Sequence, residues 1–168
     1  MIPSEIRLFY DRYKKGLYNT ALRITGNSMD AEEVAQDTII KYIRFNTEKL
    51  SPQQTGVWLH RACVNGAIDR VRRGKALKAM LEQYAEDVNG TDEDPWNDIL
   101  ACEDTQSLMA RIKRKIQELP EGYRIVLSLL LFEGYDYAEC AAILKVGESS
   151  VRSQYLRGKR KLAELVSK

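Results

Sequence analysis

One histidine and three cysteines in 168 residues leave little from which to build a metal centre, a disulfide framework or a histidine-based catalytic site. Cys63, Cys102 and Cys140 are scattered without CxxC spacing, and an odd count argues against paired disulfides and fits a reducing cytoplasm. His60 and Cys63 have ligand-like spacing on one helical turn, but no second close pair joins them, so no metal and no cofactor are expected. Long apolar runs are missing too. The longest, Ile125 to Phe132, is broken by Ser128 and falls far short of a membrane span. The first residues, MIPSEIRLFYDRYKK, carry charge within five positions and have no apolar core of the kind a secretory signal needs. There is no P-loop, GxGxxG, GxSxG or HExxH pattern, so the common phosphate-cradling, dinucleotide-binding and hydrolytic sites are excluded.

What the chain does have is charge, unevenly placed. Residues 1–78 hold 14 Lys and Arg against 8 acids, residues 111–168 hold 12 against 7, and residues 79–110 hold 9 acids with no base. The overall net charge of +2 therefore hides two basic lobes around an acidic connector, a profile suited to holding nucleic acid.

Apolar residues recur at helical spacing, and no stretch alternates cleanly enough for a strand. The pattern predicts an all-α chain of two small helical domains. A first helix is expected from Glu5 to about Thr25 behind Ser4 as cap, ended by Gly26-Asn27. Asp30 and Glu33 have capping-box spacing for a second helix, whose Ala31, Val34, Ala35, Thr38, Ile39, Tyr42 and Ile43 form one buried stripe. Its outer face carries Glu32, Glu33, Gln36, Asp37 and Lys41. Thr55 is expected to cap a third helix from about Gly56 to Lys78, with Trp58, Leu59, Ala62, Cys63, Gly66 and Ala67 inward. Steps of four, four and three residues put Arg61, Asn65, Asp69 and Arg72 on one outward flank, which Arg73 extends. Gly66 inside a helix costs roughly 1 kcal/mol relative to Ala, and points to close helix approach or ligand access. Residues 81–104 read as an acidic linker between a domain at 1–80 and another at 105–168, with Gly90 and Pro95 as breakers.

Residues 137–161, YAECAAILKVGESSVRSQYLRGKRK, read as a helix-turn-helix. Ala141 sits where the first helix passes the second, Lys145-Val146-Gly147 supply the turn, and Val151 returns an apolar side chain to the shared interface. This device presents one helix end to base edges in a major groove, which singles out Ser150, Arg152, Ser153, Gln154 and Arg157.

With these features in this order, the chain resembles an extracytoplasmic-function (group IV) sigma factor of the sigma-70 family over nearly its whole length. LFYDRYKKGLYNTALRITGNSMDAEEVAQDTIIKYIRF resembles sigma regions 2.1 to 2.2, WLHRACVNGAIDRVRR resembles regions 2.3 to 2.4, and LPEGYRIVLSLLLFEGYDYAECAAILKVGESSVRSQYLRGKRKL resembles region 4. The resemblance implies that Glu33, Gln36 and Asp37 meet the beta-prime clamp helices of core RNA polymerase. It implies that Arg61, Asn65, Asp69, Arg72 and Arg73 face single-stranded minus-10 DNA, and that Ser150, Arg152, Ser153, Gln154 and Arg157 read the duplex minus-35 element. It further implies contact with the polymerase beta flap, an anti-sigma factor as partner, a cytoplasmic location without membrane insertion, and no covalent chemistry of the chain's own.

Three departures from the family pattern stand out. Ring-bearing residues on the minus-10 face are reduced to Trp58 and His60, of which Trp58 is expected in the core. Lys145 replaces the usual glycine of the turn, so Gly147 is expected to take the positive φ instead. Gln154 replaces a commoner arginine, and a shifted minus-35 preference is expected from it. The alternative class is a stand-alone helix-turn-helix regulator, which would footprint DNA alone, usually as a dimer on a pseudo-palindrome.

Overall fold

The computed structural model describes residues 2–45, 50–74, 77–82, 94–102 and 104–168. Every element among the described residues is helical: α1 Pro3–Thr25, α2 Ser28–Phe45, α3 Pro52–Gly74, α4 Leu77–Glu82, α5 Trp96–Cys102, α6 Thr105–Lys115, α7 Glu121–Leu127, α8 Tyr137–Leu144 and α9 Glu148–Val166. The chain divides into two compact units, Met1–Lys75 and Ala76–Lys168.

In the first unit α1, α2 and α3 pack against one another in all three pairings. Each starts earlier than the sequence expectation, because a stronger cap stands upstream. Pro3 opens α1, where its missing N–H costs nothing, and the Glu5 carboxylate accepts the Ile2 N–H at 3.1 Å. Gly26, at φ 68°, closes α1 in the left-handed conformation. Asn27 then caps α2, its Oδ1 accepting the Asp30 N–H at 3.0 Å, which frees Asp30 and Glu33 from the capping role expected of them. Ser51 and Gln54 make the reciprocal box that opens α3, with bonds of 3.2 and 3.0 Å. Thr55 is not a cap: it is buried, with its hydroxyl 2.8 Å from that of Tyr42.

The buried stripe of α2 is as expected from Ala31 through Tyr42. Also buried in this unit are Leu17, Ala21 and Ile24 of α1 and Leu59, Cys63, Ala67, Ile68 and Val71 of α3. Gly66 does not mark a forced approach: a Cβ there would rest 3.5 Å from Val34 Cγ1, an ordinary contact.

The second unit is built on a core of Trp96, Leu108, Ile116, Leu119, Leu127, Leu162, Ala163 and Val166. Trp96 comes from the stretch read as linker. Its indole N–H donates to the Lys159 carbonyl at 3.0 Å, and helices α4 and α5 both lie within residues 77–102. Residues 83–93, the middle of that stretch, lie outside the described residues. Pro120 precedes α7, which continues through a π turn over Ser128–Phe132. The turn between α8 and α9 departs from expectation: Lys145 itself takes the left-handed conformation at φ 58°, and Gly147, at φ −76°, stays extended ahead of α9.

Gly158 is where α9 crosses α7. A Cβ there would stand 3.1 Å from Tyr123 Cβ and 3.2 Å from Leu127 Cδ1. Overpacking of this kind costs about 1–3 kcal/mol, more than the few tenths that valine gains over glycine in helix propensity. Gly158→Val is therefore expected to lower the denaturant midpoint of the second unit while leaving the first unit's transition in place.

Candidate functional site

The residues expected to act fall on two helices of the first unit and on one of the second. On α2, Glu33, Gln36 and Asp37 are all exposed, on the face opposite the buried stripe. Gln36 is oriented by its own helix, donating to Glu32 Oε1 at 3.5 Å. Glu33 is oriented by the neighbouring one: Arg70 of α3 places Nη1 2.6 Å from Glu33 Oε2 and 3.3 Å from Asp30 Oδ1. The hydrogen bond to Glu33 raises the Arg70 pKa, with the charges of Glu33, Asp30 and Asp37 adding to it against the opposing effect of burial. The sequence reading missed Arg70, because its partners lie 37 and 40 residues away and no local spacing reveals them.

On α3, Arg61 and Asn65 are exposed and line a recess of about 580 Å³ together with Leu50, Gln53, Gln54, Val57, Trp58 and Ala62. Trp58 is not a core residue: it is half-buried, its ring meeting Tyr42 edge-on at 5.4 Å while it lines the recess. His60 is half-buried and is not among the lining residues. One helical turn along, Asp69 holds Arg72 at 3.5 Å, and Arg73 is exposed beyond it. The five residues expected on minus-10 DNA thus follow one flank, with the recess at its Arg61–Asn65 end.

On the second unit the helix-turn-helix forms as expected, and Ala141 and Val151 are both buried at its interface. Asp136 caps α8 by accepting the Glu139 N–H at 2.8 Å, while Glu139 accepts the Asp136 N–H at 3.3 Å. The five expected minus-35 residues do not share one open surface. Arg152 is exposed and lies over the Tyr137 ring at 5.2 Å, a cation–π contact that holds the guanidinium in place. Arg157 is half-buried, and Ser150, Ser153 and Gln154 are buried. Tyr137, which supports Arg152 and meets Tyr155 edge-on at 5.9 Å, was missed, as was Leu156, exposed one turn beyond Arg152. An aromatic and a leucine in amphipathic helices read as core.

Cys140, on the inner side of α8, is chemically quiet. Burial foremost, then the carboxylates of Asp136 and Glu139, push its thiol up to about 12. The thiolate is the nucleophile, so a thiol that burial holds in its neutral form reacts slowly near neutral pH. Iodoacetamide should spare Cys140 in the folded chain and modify it after denaturation. Because the folded pKa is raised, this thiol's contribution to stability is complete below its unfolded pKa and is lost as pH climbs towards 12. Among the described residues, no group of three or more metal-ligating side chains occurs. No helix among them is long and apolar enough to cross a membrane.

Comparison with known proteins matches a stretch of each unit to one family. Residues 9–76 match the model of sigma-70 region 2, and residues 109–162 match that of sigma-70 region 4. The chain is 31% identical over 152 residues to the ECF RNA polymerase sigma factor SigE of Mycolicibacterium smegmatis, covering 90% of this chain and 58% of that one. It is 29% identical over 162 residues to the ECF RNA polymerase sigma factor SigW of Bacillus subtilis, covering 90% and 83%. Among solved structures, the sigma factor RpoE of Bartonella quintana, crystallised in complex with the anti-sigma factor NepR, shares the fold. That likeness has a TM-score of 0.52 at 17% identity and covers 97% of each chain. With region 2 carrying the recessed α3 flank and region 4 the helix-turn-helix, the chain belongs to the sigma-70 family, as an alternative sigma factor of its extracytoplasmic-function group.

Proposed function

We propose that this chain binds core RNA polymerase through α2, opens the minus-10 element on α3 and reads the minus-35 element with α9. The observation that carries the proposal is the recess beside Arg61 and Asn65. Its size falls within the roughly 300–1,000 Å³ of sites that take small organic molecules, and Trp58 gives it an aromatic wall. A protein that melts duplex DNA must hold what it unstacks, and base–aromatic stacking is worth about 1–3 kcal/mol per base. Asn65 supplies an amide able to donate to and accept from an unpaired base edge, while Arg61, Arg72 and Arg73 neutralise phosphates. Asp69 acts through Arg72, fixing its direction. A stand-alone regulator needs no such recess, and that reading is not favoured.

Glu33, Gln36 and Asp37 form an acidic and amide face that suits a basic surface on the polymerase clamp helices, with Arg70 presetting Glu33. On region 4, Arg152 is the guanine reader, and a bidentate contact of that kind supplies about 1–3 kcal/mol of discrimination. Ser150, Ser153, Gln154 and Arg157 complete the minus-35 surface, and the polymerase beta flap is the partner of region 4. The chain works in the cytoplasm, performs no covalent chemistry and is held inactive by an anti-sigma factor that covers the polymerase-binding faces. That the Bartonella neighbour was crystallised with an anti-sigma factor supports this last assignment.

The test is run-off transcription with purified core polymerase on genomic promoter fragments. Initiation from asymmetric promoters only when the chain is present is the expected result. A footprint by the chain alone on a pseudo-palindrome, with no initiation, would favour the regulator.

A further inference from the structure

Ser150, Gln154 and Arg157 lie on one stripe of α9, at steps of four and three residues. The middle one is already engaged. Gln154 is 2% exposed, and its Nε2 donates to the carbonyl oxygens of Met80 and Leu81, each at 3.4 Å. Both carbonyls belong to the last turn of α4, where backbone acceptors have no partner within the helix. Leu81 is 1% exposed, so the contact is apolar as well as polar.

Gly122, at the start of α7, completes the joint. A Cβ there would stand 3.3 Å from Gln154 Oε1, 3.4 Å from Leu81 Cδ2 and 3.4 Å from Met80 Sδ, so α4, α7 and α9 meet with no spare volume. The far side of the connector is fastened to α9 too. Trp96 donates its indole N–H to the Lys159 carbonyl, and Asp94 Oδ2 lies 3.9 Å from Lys159 Nζ.

Two physical limits give this arrangement meaning. A helix of six residues is far below the roughly 12–15 needed for even marginal stability alone, so α4 exists because of what it sits on. An amide whose donor faces two protein carbonyls in a closed joint cannot also bond a base edge in a major groove.

We infer that α4 is a built-in cover of the recognition helix: seated between the α7 N-terminus and Gln154, it withholds part of the minus-35 surface until it lifts. The inference rests on reading α9 as the minus-35 reader. It assigns α4 a second resting place, and it makes Gln154 a switch between protein carbonyls and DNA. Apparent affinity falls by the fraction of molecules that are competent, so a cover seated 90–99% of the time lowers minus-35 binding by about 10–100-fold.

Two variants of the full chain test it. Leu81→Asp puts a charge into the joint and unseats α4; binding to a duplex bearing the mapped minus-35 element is followed by fluorescence anisotropy at fixed salt. The expected result is a gain of about 10–100-fold over the natural chain. In a second variant, Met80→Cys and Gly122→Cys, with Cys102→Ser, are joined by a short reducible cross-linker. As holoenzyme, this protein should lose minus-35-dependent initiation and regain it on reduction. The idea is overturned if hydrogen exchange shows α4 released by Leu81→Asp while affinity stays unchanged, or if the cross-linked holoenzyme initiates at full rate. Arg152→Ala alone separates the two ideas: holoenzyme that keeps its minus-35 discrimination removes α9 as the reader, and the cover with it, whereas lost discrimination together with no gain from Leu81→Asp overturns the cover alone.

Discussion

Charge reversal at Glu33 and Asp37 should abolish holoenzyme formation. Both carboxylates are exposed on the rigid outer face of α2, so replacing them with lysine perturbs no core contact. If the face they form meets basic side chains of the polymerase, each reversal turns an attraction into a like-charge juxtaposition costing several kcal/mol. An affinity loss of at least about 10³-fold is expected from the pair. Asp37→Lys is the cleaner single variant, because Glu33→Lys also confronts Arg70, which Glu33 holds at 2.6 Å. Holoenzyme formation is measured by titrating labelled core polymerase, with circular dichroism to confirm that helicity is intact. Unchanged binding by the double variant would remove α2 as the polymerase contact.

A second large effect is expected from filling the recess on α3. Ala62 lines it between Trp58 and Asn65, and Ala62→Trp places an indole where an extracted base is proposed to sit. Loss of the stacking and amide contacts together should lower open-complex formation by 10²-fold or more, since about 3 kcal/mol corresponds to that factor. Polymerase binding, proposed to use the outer face of α2, should be unaffected. Permanganate footprinting of unpaired thymines reads the melting directly. A promoter with a pre-opened minus-10 bubble should recover part of the activity, because the cost of unstacking has been removed. If melting proceeds normally with the recess blocked, the base-holding role is wrong.

The sequence made the helices and their inward faces legible because both follow from spacing: the α2 stripe from Ala31 to Tyr42 needs only the 3.6-residue period. The helix-turn-helix was readable for the same reason, since Ala141 and Val151 are fixed by where two short helices must touch. Starts were less legible. Thr55 looked like a cap, yet Ser51 with Gln54 made a better one upstream, and the threonine was drawn into a buried pair with Tyr42. In the turn, a glycine two residues away seemed the natural bearer of positive φ, but the left-handed closure falls on the residue that ends α8, Lys145, whose N–H donates to the Ala141 carbonyl.

Long-range placement was the hardest to read. Arg70 gains its role only from acids on another helix, and Trp96 joins a core supplied by residues from 108 to 166, with the Lys159 carbonyl of α9 accepting its indole N–H. Gln154 looked exposed because the α4 that buries it lay in what composition marked as the end of one domain and the start of a linker.

The joint at Gln154 also settles where the end of α4 finds its partners: a six-residue helix leaves its last carbonyls without donors of its own, and the recognition helix satisfies two of them, at Met80 and Leu81, with one amide.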